Sequence, residues 1–351
     1  MSRNRSMKVS NPINSPSNPP IAPHMTYSDF SLYSAAPAVF RTQRKSVATQ
    51  VIMWTFIVIG VLVCIPAVGF SFIPVPSTFL LSMLFAVVLF AAIFCILRFS
   101  RLWPKGKGRG WLFAALLWGG AFSTVVPLFI AQPIIDLCAK TRLFALAASF
   151  GGAYPEEILK GMGVLFILWL FRYLDRPWHG FVVGALVGLG FEVVENILYG
   201  AQGALFDPNS DIVGVTQSWF TRTIFGFGLH PIFTGCTGYG LGHALLRAGW
   251  SKKKRILIAT SWFMLGFGLH FAWNIALDSE VMMIVVHIVL LVLAYAIFLY
   301  CYIRSHLAAK NAPGVIHTAV PLRAADQLLS APPTPHGVPM VSVYNHQPEQ
   351  V

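Results

Sequence analysis

Six acidic or amide side chains, one lysine and two histidines are spaced along the chain as they would be in a hydrolytic site. Glu156 and Glu157 precede Lys160 by four and three residues, so on a helix one ammonium can partner either carboxylate within a single turn. Glu192 and Glu195 are three apart, with Asn196 following, and His270 and Asn274 are four apart; each set falls on one helical face. His230 stands by itself between them. A carboxylate beside an imidazole in a dry pocket can take a proton from water, and an imidazole with an amide one turn away can donate hydrogen bonds to a developing oxyanion. Alternatively Glu157, Glu195, His230 and His270 could hold Zn²⁺ with a water in an open position. The spacing does not match HExxH, so the zincin pattern gives the metal no support; the residues leave metal dependence open, and a glutamate base without metal is slightly preferred. A chain of Glu and His inside a membrane can also relay protons, which keeps a proton- or ion-coupled transporter as the alternative.

The elements that must position these groups are read from hydropathy. Apolar residues make up 56% of the chain and charged residues 11%, and the apolar ones are concentrated between two polar, Pro-rich ends. Runs of about 18 apolar residues suffice to cross a hydrocarbon core of roughly 30 Å. The sequence predicts about eight, near 49–70, 77–98, 111–131, 143–171, 179–200, 222–247, 256–277 and 281–303. Peptide groups in lipid must bond within their own segment, so the runs are helices and the fold class is all-α, a polytopic membrane protein. The run near residue 49 lies behind a long polar arm with no small-residue cleavage site after it, which reads as a retained helix.

The net charge of +12 does not point to nucleic acid, because the basic residues alternate between loops. Arg41, Arg44 and Lys45 precede the first run; Arg98, Arg101, Lys105, Lys107 and Arg109 follow the second. Arg172 and Arg176 follow the fourth, and Arg247 with Lys252, Lys253, Lys254 and Arg255 follows the sixth. The other loops are neutral or acidic, except for Lys140 and Arg142 beside Asp136. The positive-inside rule therefore puts both termini in the cytoplasm, with the lipid bilayer as the chain's environment. The five cysteines form no CxxC pair and suggest no disulfide framework.

Residues 1–46 read as a disordered cytoplasmic arm, 47–305 as the transmembrane catalytic domain and 306–351 as a disordered Pro-rich tail. The chemistry-bearing residues fall within 143–277. Counted from the basic end of each run, Glu157 lies 14 residues in, Glu195 16, His230 17 and His270 14, which places all four roughly 21 to 26 Å deep. Charged groups at mid-bilayer are unfavourable by roughly 2.5–3.5 kcal/mol each on insertion scales, so they should face one another and not lipid. Depth favours Glu157 over Glu156 as the inward carboxylate. Gly151–Gly152 ahead of Pro155 suggests a break in the fourth helix. Gly180, Gly184 and Gly188, with Gly238 and Gly242, suggest close helix packing, and His243 and His287 read as packing residues.

The motifs together resemble a known family. Glu156-Glu157-Ile158-Leu159-Lys160 matches EExxK, Phe191 to Asn196 matches FxxxEN, His230 with Pro231 and Thr234 resembles a third motif, and His270 to Asn274 matches HxxxN. In this order they are similar to the PrsW intramembrane proteases, distant relatives of the CAAX prenyl protease group, over roughly residues 110–280. The resemblance implies a peptidase acting on membrane-anchored proteins, with anti-sigma factors as the substrate class. It implies Glu156 or Glu157 as base, Glu195 and His230 as its partners, and His270 with Asn274 as oxyanion donors. Lys160, Glu192 and Asn196 would support them. A histidine stands in the prenyl-protease group where this chain has Glu195, and the resemblance leaves zinc dependence open.

Overall fold

The computed structural model describes residues 47–105, 108–171, 174–247 and 250–311, and among these every regular element is helical. Helix α1 spans Val47–Ser71 and α2 spans Phe79–Arg98. Helix α3, Gly110–Lys140, contains a π-helical turn at Trp118–Phe122. Helix α4, Tyr154–Leu170, is entered through a π-helical turn at Ser149–Ala153. Helix α5 covers Pro177–Phe206, α6 Asp211–Gly226, α7 Leu229–Leu246, α8 Lys252–Trp273 and α9 Glu280–Asn311. The assignments for residues 1–46 and 312–351 lie outside the described residues. The last helix runs through 306–311, beyond the boundary read at 305.

Six of these helices are long and apolar enough to cross a membrane: α1, α2 extended from Pro76, α3, α5, α8 and α9. Helix α4 has 17 residues and carries Glu156, Glu157 and Lys160, and α7 is rich in glycine and holds two histidines. Length and composition therefore mark six spans where about eight were expected. The run read as one span over 222–247 is two helices that meet at Gly228, whose φ of +68° is open to glycine. The preceding stretch, read as a loop, is mostly α6. The break expected at Gly151–Gly152 is the π-helical turn, which keeps the helix continuous but adds a residue to the turn.

Helix α5 is the axis of the bundle, buried on every side over most of its length. Its glycines make that possible. A Cβ at Gly184 would come within 2.2 Å of the Thr234 carbonyl oxygen, and one at Gly188 within 2.2 Å of the His230 carbonyl oxygen. On the opposite face Gly190 meets the carbonyl of Leu116 in α3. Backbone thus packs on backbone, as small residues permit in lipid, and residues 192–196 of α5 are held close to the first turn of α7. Helices α1, α2 and α9 instead expose long apolar faces such as Leu62, Leu80 and Val292, as a hydrocarbon surround allows.

Candidate active site

Four helices converge on the polar residues. Helix α4 brings Glu156, Glu157 and Lys160 in its first two turns, and α5 brings Glu192, Glu195 and Asn196. Helix α7 contributes His230 from its first turn, while α8 ends with His270 in its last turn and Asn274 just beyond. All nine residues singled out from the sequence meet in one region.

Glu192 explains why α7 begins where it does. Its carboxylate accepts the backbone N–H groups of Gly228 at 2.9 Å and His230 at 3.1 Å, so a side chain from α5 caps the start of α7. This pins the His230 backbone. The ring lies against Phe191 and stands nearly perpendicular to His270, with ring centres 4.9 Å apart. Its Nε2 is 2.9 Å from Glu195 Oε2, and its Nδ1 is 3.1 Å from Lys160 Nζ. An ammonium can only donate, so Nδ1 accepts and Nε2–H donates to Glu195. Both nitrogens of His230 are therefore engaged.

Lys160 is fully buried, 2.7 Å from Glu157 Oε1 and 3.4 Å from Glu156 Oε2, and its ammonium lies over the Phe191 ring. Glu157 also accepts from His270 Nδ1 at 2.9 Å. The other nitrogen of His270, Nε2, looks towards Glu156 Oε2 at 3.9 Å and the Asn274 amide at 3.5 Å. Thus His270 keeps a lone pair directed to the interior. Two contacts hold the end of α8 over α4: Ser149 Oγ donates to the Phe271 carbonyl at 2.7 Å, and the Ala276 N–H donates to the Ala145 carbonyl at 2.9 Å. At Gly152 a Cβ would lie 3.3 Å from both the Asn274 amide and Glu156 Oε1, so bare backbone forms that wall.

These groups border a cavity of about 560 Å³. Glu156, Glu192, Glu195, Asn196, His230, His270 and Asn274 line it; Glu157 and Lys160 lie behind the lining. The depth argument favoured Glu157 as the inward carboxylate, but Glu156 is the one on the cavity wall. Arg222, at the end of α6, forks onto Glu195 and Asn196 and lies 4.0 Å over the Tyr199 ring. Tyr199 was not singled out from the sequence, and Gly152 was read there only as part of a break in the fourth helix. Tyr199 follows Glu195 by four residues, which places it on the same helical face and was a usable signal. Gly152 gave a different one, being part of a Gly pair beside two carboxylates.

Donor atoms of Glu156, His230 and His270 lie within 4.8 Å of one another, a set that could hold a metal ion. The set anticipated from the sequence had Glu157 and Glu195 in place of Glu156. Those two carboxylates instead stand behind the imidazoles, as outer partners do in many metal sites.

A profile of the family described as PrsW family intramembrane metalloprotease matches residues 107–301, more than half of the chain. The chain belongs to the PrsW family. "Protease PrsW" of Oceanobacillus iheyensis is 28% identical over 196 residues, covering 56% of this chain and 84% of the relative. "Protease PrsW" of Geobacillus kaustophilus is 28% identical over 162 residues, covering 46% and 62% respectively. No solved structure matches. Membership in PrsW makes the protein an integral membrane peptidase, and no finding favours the transporter. The matched segment contains all four motifs and every helix that contributes to the cavity.

Proposed function

We propose that this PrsW-family protein hydrolyses a peptide bond of a membrane-anchored protein at the cavity between α4, α5, α7 and α8. The observation that carries the reading is the meeting of Glu156, His230 and His270 donor atoms within 4.8 Å at the wall of a 560 Å³ cavity. Glu156 is the general base: it faces the cavity and can take a proton from a water held between its carboxylate and His270 Nε2. Asn274, with its amide towards the same space, donates to the carbonyl oxygen under attack. His270, kept in one tautomer by Glu157, is placed to carry a proton to the leaving amine. Glu195 and Arg222 hold His230 in place.

The donor set fits a divalent cation. Two imidazoles and a carboxylate with an open position suit catalytic zinc, and carboxylates stand behind both imidazoles. Glu156, Glu157, Glu192 and Glu195 against Lys160 and Arg222 leave a formal charge of −2, which a divalent ion would balance. Glu156, His270 through Nε2, and His230 would hold it, with His230 giving up its contact to Lys160; the base and proton-carrier roles above belong to the site without the ion. Bound there, the ion would polarise the scissile carbonyl and acidify a water.

We further propose that α4 and α7 are spans sheltered by the six apolar ones, giving eight crossings with both termini cytoplasmic in the bacterial cell membrane. On this reading the helical body, 47–311, is the catalytic domain. An anti-sigma-factor-like protein is the substrate class that family resemblance suggests. The test is cleavage of a single-pass substrate by purified protein, with Glu156→Gln, Glu157→Gln and His230→Ala alongside, each with and without chelator. Cleavage that survives in Glu156→Gln and His230→Ala would sink the proposal. Loss on chelation reversed by Zn²⁺ would establish the metal.

A further inference from the structure

The cavity has a second face that the chemistry does not use. Besides the charged floor, it is bordered by Leu128 of α3 and Phe225 of α6, which are apolar and 54% and 59% exposed. Helix α6 packs chiefly on α5 and does not close against α3. Exposed apolar side chains rim the space between those two helices, as they do on a face turned to hydrocarbon.

Helix α6 is a fixed post of this opening. Trp219 is buried and donates through Nε1 to Ser82 Oγ of α2 at 2.8 Å. A Cβ at Gly214 would meet the Gly203 carbonyl at 2.2 Å, so the two helices touch backbone to backbone. Arg222 ties the last turn to Glu195 and Asn196. The side chains of Tyr199, Gln202 and Thr221 also line the cavity, and their polar atoms have no hydrogen-bond partner among the described residues. An apolar rim combined with uncommitted hydrogen-bonding side chains suits an occupant with apolar side chains and bare peptide groups. A locally unwound membrane-spanning segment is such an occupant, because its backbone groups need partners inside the bilayer. A lipid tail would satisfy the rim and leave the polar side chains unmet.

We infer that the membrane-spanning segment of the substrate docks between α3 and α6, with Leu128 and Phe225 as its doorposts and Tyr199, Gln202 and Thr221 as partners for its opened backbone. This rests on the protease reading above. It adds the route and names the surface that selects the substrate.

The experiment places a benzophenone amino acid, one position at a time, at Leu128, Phe225, Val88 and Ile288 in full-length protein carrying Glu156→Gln. Val88 on α2 and Ile288 on α9 are equally exposed apolar positions away from the opening. Each protein is reconstituted with a single-pass substrate and irradiated, and cleavage by the Glu156-containing protein is measured in the same vesicles. The expected result is substrate adducts at 128 and 225 in several-fold excess over 88 and 288. Equal yields at all four positions, or adducts chiefly at 88 or 288, overturn the doorway while cleavage leaves the protease reading standing. Absence of cleavage by the Glu156-containing protein overturns that reading and the doorway with it. As a second arm, Leu128→Trp with Phe225→Trp is expected to slow cleavage of the anchored substrate several-fold more than that of a soluble peptide spanning the same bond. Equal slowing of both would count against entry between α3 and α6.

Discussion

The cavity contains two carboxylate–imidazole pairs, and they differ in what is left over. In the Glu157–His270 pair the carboxylate is fully buried and fastened by Lys160, and the imidazole turns Nε2 towards Glu156 with only a long 3.5 Å contact from the Asn274 amide. In the Glu195–His230 pair the carboxylate reaches the cavity and is fastened by Arg222, while both imidazole nitrogens are engaged. The same two residue types therefore do different work. A pair whose imidazole has a lone pair to spare can take part in proton transfer; a pair whose imidazole is saturated shapes the site, unless a cation displaces Lys160 from Nδ1.

The comparison can be broken by substitution. The largest effect is expected for Glu156→Gln, which removes the proposed base between the two pairs and should lower kcat by about 10²–10⁴-fold with little change in KM. His270→Ala should come next, in the same range, measured as kcat/KM on a single-pass substrate. Glu157→Gln should exceed Glu195→Gln in its loss of kcat, since it alone releases the tautomer of the working imidazole; the reverse order would show that His230 is the proton carrier. Lys160→Met leaves Glu156 and Glu157 without their ammonium, and should destabilise the folded protein by about 3–5 kcal/mol as unpaired buried charge does. Thermal unfolding in detergent would read it. The smallest effect is expected for Arg222→Lys, which keeps the charge but loses the fork onto Asn196. A change in kcat/KM of several-fold, without a shift in melting temperature, would separate positioning from folding.

Much of this arrangement was legible in the sequence. Depth counted along four runs brought Glu157, Glu195, His230 and His270 to one level because helical rise is nearly constant, and the small-residue spacing of α5 announced its contact with α7. The facing of Glu156 was not legible. Neighbouring helix positions differ by about 100° in direction, and the extra residue of the π-helical turn at Ser149–Ala153 changes the phase with which α4 enters the bundle. Hydropathy alone does not display such a turn. The join between α6 and α7 was missed for another reason: an apolar-run search passes over Phe227–Gly228, although Gly228 followed by Pro231 fits the start of a new helix. Helix α6 was hidden because its Thr, Ser, Gln and Asp residues make it read as a loop.

Lys160 has a consequence for biosynthesis. It travels on the same helix as Glu156 and Glu157, so α4 joins the bundle with part of its negative charge already neutralised from within. The second imidazole arrives on α8, more than a hundred residues later in translation, and only then does Glu157 acquire its other partner. On the proposed chemistry a nascent chain would lack proteolytic competence until α8 is in place, which would spare the membrane a half-made enzyme.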